Sequence, residues 1–254
     1  MAELLNSVKP QVCLTIGGSD SCGGAGIQAD LQVFSALGMH ACSAITALTA
    51  QNHQTIHRIE AVSLAQLDAE MHAIFDAYDV LAVKTGMLVS AEYIAVISAC
   101  LDIYHQNKPL VVDPVMVSSS GKRLLDAGAI ETLKHTLIKT ATLLTPNMDE
   151  ASVFLGEPIC NPELQSTELA NQLDVSVLLK GGHHHNEQTC QDILAEKGSS
   201  TVLFSHPRQT CESIKLHGTG CRLASAIAAY LAQGESLKHA CEYAIAHTQT
   251  YLHD

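Results

Sequence analysis

Short β-rich apolar runs alternate with helical patterns along most of this chain, and few folds accommodate that order. Residues 12–16, 41–48, 80–84, 110–113, 142–145 and 175–180 read as strands. Helical spacing separates them over residues 27–37, 64–78, 91–104, 129–139, 148–155 and 164–173. In the first of these, Ile27, Leu31, Phe34 and Leu37 recur on one face and Gly38 stands where the helix should stop. A strand followed by a helix cannot return as a hairpin. The chain crosses over instead, which pairs strands in parallel and puts helices on both faces of the sheet. Residues 193–195 and 201–205 read as a hairpin around Lys197-Gly198, and helices at 222–231 and 237–251 follow. No linker, long repeat or low-complexity tract intervenes, so one domain over residues 1–254 is expected.

This order also says where chemistry belongs, because ligands of open parallel sheets bind beyond the carboxyl ends of the strands. Residues 17–26 follow the first strand, Gln51-Asn52 the second and Lys84-Thr85-Gly86 the third. Asp113 follows the fourth, Asn147 and Glu150 the fifth, and Lys180-Gly181-Gly182 the sixth. One mouth should collect them.

Charge narrows the partners. A formal charge of −12, from 14 Lys+Arg against 26 Asp+Glu, repels nucleic-acid backbones and anionic lipid. With no Trp and only 4% aromatic residues, there is no basic stripe interleaved with stacking rings. None of the nine cysteines forms a C-x-x-C pair, and Cys13, Cys42 and Cys100 lie inside apolar runs, as reduced core thiols do. The first residues lack a signal-peptide layout, and no apolar run approaches the roughly 18 residues of a membrane span. A cytoplasmic enzyme that meets neither membrane nor nucleic acid is the expectation.

Two glycine clusters stand out. Gly24-x-Gly26-x-x-Ala29 fits a dinucleotide fingerprint, yet it starts about seven residues beyond the strand. The second strand, moreover, ends in Gln51 rather than a ribose-binding acid. A substrate-side loop is the better reading. No G-x-x-x-x-G-K-[ST] loop is present. The segment 217–221 (HGTGC) precedes a helix, where glycine backbone and helix dipole make an anion site. The same dipole should favour the thiolate of Cys221. An ordinary glycine-rich helix start with a buried Cys is an equal reading of these five residues alone.

Asn147 and Glu150, three residues apart, could hold a hydrated Mg²⁺ or form a capping box, and both can be true. Lys180 beside Gly181-Gly182 suggests a phosphate contact; Lys84 has less to distinguish it from a solvated strand-end charge. Asp113-Pro114 is an acid at a strand end or a turn former. Consecutive residues cannot converge on one ion, so 183–185 (HHH) reads as an exposed loop.

Taken in order, these stretches resemble the ribokinase-like superfamily, and within it the bacterial hydroxymethylpyrimidine/phosphomethylpyrimidine kinases of thiamine biosynthesis. The resemblance runs from about residue 12 to 231. It is carried by residues 14–20 (LTIGGSD), 23–30 (GGAGIQAD), 46–52 (TALTAQN), 84–88 (KTGML), 113–117 (DPVMV), 145–150 (TPNMDE), 179–183 (LKGGH) and 217–221 (HGTGC). It implies a ribokinase-like three-layer α/β/α sandwich with a central, mostly parallel sheet, usually as a homodimer. It implies ATP and Mg²⁺, and phosphorylation of 4-amino-5-hydroxymethyl-2-methylpyrimidine first to the monophosphate and then to the diphosphate.

Carried over by motif, Gln51 hydrogen-bonds the aminopyrimidine, helped by Asp30, Ala25, Met87 and the backbone of Val117. Asn147 and Glu150 order Mg²⁺ and phosphates, with Glu150 reaching the ion through water, and Lys180 contacts the ATP phosphates. Gly218, Thr219, Gly220 and Cys221 form the anion hole, and Cys221, where many sugar kinases of the superfamily carry Asp, takes the hydroxymethyl proton.

Three departures stand beside the resemblance, one of them that the given sequence ends at Asp254 without the Gly/Pro/His-containing tail of many relatives. Ser118-Ser119-Ser120-Gly121-Lys122 replaces the usual Lys and Ser-Gly-Asp, which bears on the second phosphorylation. Arg222 stands where Thr is common, a cation at a helix start that a phosphate anion would suit. A pyridoxal kinase is the nearest alternative; an NAD-dependent oxidoreductase and an inert nucleotide-binding module are the others.

Overall fold

Strand residues alternate between two cores that lie on opposite faces of one sheet. The computed structural model describes residues 8–118, 121–181, 189–209 and 216–253. The strands among them are β1 (Gln11–Asp20), β2 (Ala41–Gln51), β3 (Ile56–Ala61), β4 (Asp79–Thr85), β5 (Leu110–Val112), β6 (Leu143–Leu144), β7 (Ser176–Leu179), β8 (Thr189–Ala195) and β9 (Val202–Pro207). They form one sheet in the order β3-β2-β1-β4-β5-β6-β7-β8-β9. The pairs from β2 through β7 are parallel; β3, β8 and β9 pair antiparallel at the edges.

On β1, Val12, Leu14 and Ile16 face α2 (Leu64–Ala77), α3 (Ala91–Tyr104), α4 (Ala129–Leu133), α5 (Met148–Leu155) and α6 (Pro162–Leu173). Leu67, Met71, Ile94, Ile97, Phe154 and Leu169 fill that layer. Cys13 points the other way, toward Val33 and Phe34 of α1 (Gly26–Ala36). Ala224 and Ile227 of α7 (Thr219–Ala232) and Ala240 and Ala244 of α8 (Leu237–His253) complete this second core. The expected three-layer sandwich is the observed one.

Several boundaries differ from the sequence reading. β1 does not stop at Ile16 but carries Gly17-Gly18-Ser19-Asp20 along β2 as far as Thr49. A register shift between Gly17 and Gly18 absorbs the irregularity, as a bulge does. β3 has no apolar run to announce it; its residues IHRIEA are mostly exposed, and β2 supplies the ladder. The expected helix 129–139 widens into a π-helical turn over Lys134–Ile138. Ser119, Ser120, Gly182, the histidines 183–185 and Cys211 lie outside the described residues.

The end of β7 is tied down from the sheet edge. Gly181 N–H donates to Asp192 Oδ1 at 2.8 Å, and His206 Nε2 lies 3.1 Å from Asp192 Oδ2. The hydrogen bond His206 donates to Asp192, opposed by burial, raises the His206 pKa above its ordinary value. A raised folded pKa means this stabilisation is complete below the unfolded histidine value of about 6.5 and is lost as pH rises through the folded value. We expect the urea midpoint to fall over that interval, and His206→Gln to remove that part of the slope.

Candidate active site

The turn before α7 is shaped by one glycine. Gly218 is the N-cap, at φ 83°, and no side chain caps the helix there. A Cβ on it would overlap the Gly24 carbonyl oxygen and lie 2.8 Å from Ala25 Cα, so the loop after β1 lies directly against this turn. The left-handed conformation alone costs a residue with a Cβ roughly 1–2 kcal/mol. Gly218→Ala should therefore lower kcat/KM by about tenfold or more and lower the melting temperature as well. An unchanged kcat/KM would show that the turn tolerates displacement.

Lys180 and Asp113 meet beside that turn. The ammonium Nζ lies 2.9 Å from Asp113 Oδ1, which also accepts from Thr145 Oγ1 at 3.3 Å. A Cβ on Gly220 would lie 3.3 Å from Lys180 Nζ and 4.0 Å from Asp113 Oδ2. The ammonium thus stands over bare glycine backbone in the first turn of α7, where an anion gains from both helix dipole and charge. Burial acts to lower the Lys180 pKa, but Asp113 and Glu150 outweigh it and raise it.

Asn147 and Glu150 do form the capping box. Glu150 N–H donates to Asn147 Oδ1 at 2.8 Å, and Asn147 N–H to Glu150 Oε2 at 2.9 Å. The other oxygen, Oε1, accepts from Met116 N–H at 3.1 Å. Val115 holds that donor in place at φ 43°, an unfavourable conformation for a β-branched residue and one that clusters at functional sites. Burial, followed by the opposed charges of Lys180 and Asp113, leaves the Glu150 pKa above the usual carboxylate range.

Lys84 is the residue whose weight the sequence reading set too low. It is 1% exposed, and its Nζ lies 2.9 Å from both oxygens of Asp30. Asp30 also accepts from Thr15 Oγ1 at 2.6 Å and Ser225 Oγ at 2.7 Å. Four hydrogen bonds engage the carboxylate that the motif had given to the substrate. Cys221 lies one helical turn before Ser225. Its thiol pKa is raised, not lowered: burial dominates, and Asp30 and Asp113 reinforce it. Lys84 and the Gly26 N–H oppose that rise. The expected dipole-favoured thiolate is corrected accordingly, because desolvation outweighs the helix terminus.

The other residues spread along the rim. Gln51 ends β2 and exchanges hydrogen bonds with the Ser21 hydroxyl through its backbone, at 2.8 and 2.9 Å. Ala25 starts α1 and donates to Asp20 Oδ2. Met87 is buried against Gly18, and Val117 is half exposed in a bridge with Arg123. Thr219 Oγ1 donates to Leu216 O at 3.2 Å. Arg222 does not reach for an anion: it stacks 3.9 Å over Tyr251 and donates to Gln32 Oε1 at 2.7 Å.

Residues 20–254 match the family described as phosphomethylpyrimidine kinase. The chain belongs to the phosphomethylpyrimidine kinase family. It is 42% identical over 249 residues to the hydroxymethylpyrimidine/phosphomethylpyrimidine kinase of Rhizobium meliloti, covering 95% of this chain and 89% of that one. It is 44% identical over 243 residues to the thiamine biosynthesis bifunctional protein ThiED of Geobacter sulfurreducens, covering 94% of this chain but only 48% of that longer protein.

Among solved structures, the phosphomethylpyrimidine kinase of Clostridium difficile superposes with a TM-score of 0.80 at 38% identity, over 95% of this chain and 99% of that one. A pyridoxal kinase from Staphylococcus aureus, in complex with AMP-PCP and pyridoxal, gives 0.81 at 28% identity, over 95% and 87%. Members of the family are kinases, and the ribokinase-like fold is common to them and to this chain.

Proposed function

We propose that this chain phosphorylates 4-amino-5-hydroxymethyl-2-methylpyrimidine and then its monophosphate, using ATP and Mg²⁺, with one domain carrying the whole site. The observation that supports it best is the Lys180 ammonium held by Asp113 over the Gly220 backbone at the start of α7. Bare glycine and a fixed cation are what a transferring phosphoryl group requires. Bound ATP·Mg²⁺ supplies the electrophilic phosphorus.

Lys180 and the first N–H groups of α7 draw the phosphate oxygens into line. Glu150 would hold the ion through water, a role that fits a carboxylate whose oxygens each accept one backbone N–H and keep lone pairs free. Cys221 takes the proton from the hydroxymethyl group, with Lys84 offsetting the burial that works against its thiolate. Gln51, Met87, Ala25 and the Val117 backbone orient the ring from the rim. Asp30 acts through Lys84, which it holds by an ion pair and whose charge acts on Cys221.

We place the enzyme in the cytoplasm as a homodimer. The described cysteines are free thiols, as a reducing compartment keeps them, and no helix among the described residues is long and apolar enough to cross a membrane. Sedimentation tests the dimer.

A coupled ADP-release assay with hydroxymethylpyrimidine, its monophosphate and pyridoxal tests the reaction. Turnover of both pyrimidines is expected. Turnover of pyridoxal alone favours the second reading, which the likeness to the pyridoxal kinase fold motivates; no ADP from any of them rejects the kinase.

A further inference from the structure

We propose that Asp20, Cys22 and His217 form a binding site for a soft divalent cation of the zinc type, set against the turn that precedes α7. One carboxylate oxygen, one thiol sulfur and one imidazole nitrogen from these residues all lie within 4.8 Å of one another. Asp20 Oδ2 is 3.1 Å from His217 Nε2 and 3.4 Å from Cys22 Sγ. Tetrahedral zinc, with bonds of about 2.0–2.3 Å, spaces its ligand atoms about 3.3–3.8 Å apart. Shifts of a few tenths of an ångström bring the two Asp20 pairs to that spacing, and the Cys22–His217 pair, within 4.8 Å, has to close to the same range.

The mixture of donors selects the ion. Sulfur and imidazole suit zinc, whereas Mg²⁺ takes oxygen ligands and keeps its waters. The three residues leave the fourth position open, and the exposure of Cys22 gives the ion a way in. The carboxylate is also held in position. Asp20 Oδ1 accepts from Cys22 N–H at 2.9 Å and Oδ2 from Ala25 N–H at 2.8 Å. A Cβ on Gly24 would lie 2.7 Å from His217 Cδ2, so glycine there is what allows the imidazole to reach Asp20.

Burial works against the Asp20 charge, yet the Ala25 and Cys22 N–H groups, with the Cys22 thiol and His217, lower its pKa below the usual carboxylate value. Binding breaks the Cys22 S–H bond, forms a zinc–sulfur bond and releases one proton to solvent; no electron is transferred.

Occupancy joins the end of β1 to the start of α7 across 197 positions in sequence. Because the Gly24-Ala25 backbone lies against Gly218, that link fixes the loop over the anion site and inhibits phosphoryl transfer. The inhibition rests on the proposed kinase reading; the binding does not.

The test is titration of the metal-free full chain with Co²⁺ and then Zn²⁺. Wild type should take up one equivalent of cobalt, with a thiolate-to-cobalt charge-transfer band and the strong ligand-field absorption of a four-coordinate ion, both bleached by zinc. Cys22→Ser should lose the charge-transfer band and bind at least about tenfold more weakly, while its turnover with Mg²⁺ and ATP stays at the wild-type level. A band that survives in Cys22→Ser, or no stoichiometric uptake, overturns the site and leaves a hydrogen-bonded clamp.

Equal zinc inhibition of both proteins overturns the regulatory link. If neither protein turns over, the kinase reading fails, and the cobalt spectrum still decides the metal site.

Discussion

Cys221→Ala should lower kcat by about 10²–10⁴-fold, the usual worth of a positioned general base. The proposed phosphate contacts at Lys180 and Gly220 are untouched by that change, so KM for ATP should move little. The thiol is not a ready thiolate, since burial raises its pKa and Lys84 only opposes the rise. Activity should accordingly climb with pH through the thiol's elevated value, and the alanine variant should lose that limb. Steady-state kinetics from acid to alkaline pH read both effects. A kcat near wild type would remove Cys221 from the proton transfer and leave the anion site standing.

Lys84→Met should be the most destabilising single change at the site. It leaves the Asp30 carboxylate 1% exposed with only two hydroxyl donors, those of Thr15 and Ser225. Breaking a buried ion pair from one side costs about 3–5 kcal/mol, chiefly through the charge left without a partner. Lys84→Met combined with Asp30→Asn should recover much of that loss, because no net charge then stays buried. Urea unfolding of the three proteins measures it. The double variant should unfold normally yet remain slow, if the Lys84 charge is what offsets burial at Cys221; wild-type turnover in it would confine the pair to a structural role.

Much of this site was legible because it lies at strand ends, and strand ends follow from the alternation of patterns. Lys180, Asp113, Asn147 and Glu150 each close a strand or open the next helix, where a polar residue in an apolar context is conspicuous. The Lys84–Asp30 pair is also legible in the pattern. Lys84 follows four apolar residues within β4, and Asp30 falls at the third position after Ile27 on the buried face that Phe34 also shares. A cation and an anion both destined for the interior imply each other.

The thiol of Cys221 could not be read in the same way. Its position at the helix start is local, but burial raises its pKa, and the charges that act on it, Lys84, Asp30 and Asp113, lie on elements distant in sequence. Arg222 misled for the same reason: its partners are Gln32 on α1 and Tyr251 on α8. β3 was missed because an edge strand needs a partner's ladder more than an apolar pattern.

The bonds joining Asp20 to His217, Asp30 to Ser225 and Gln32 to Arg222 each span at least 190 positions. During synthesis, then, the first third of the chain waits on the ribosome for nearly the whole remainder before its polar groups find their partners. Until α7 and α8 emerge, the side of the sheet that carries Cys13 is covered by α1 alone, and the inner residues of that helix, Val33 and Phe34, lack the rest of their core. A nascent chain stalled before residue 217 should carry the proposed pyrimidine rim without the proposed catalytic turn, and should bind chaperones through that incompletely covered side.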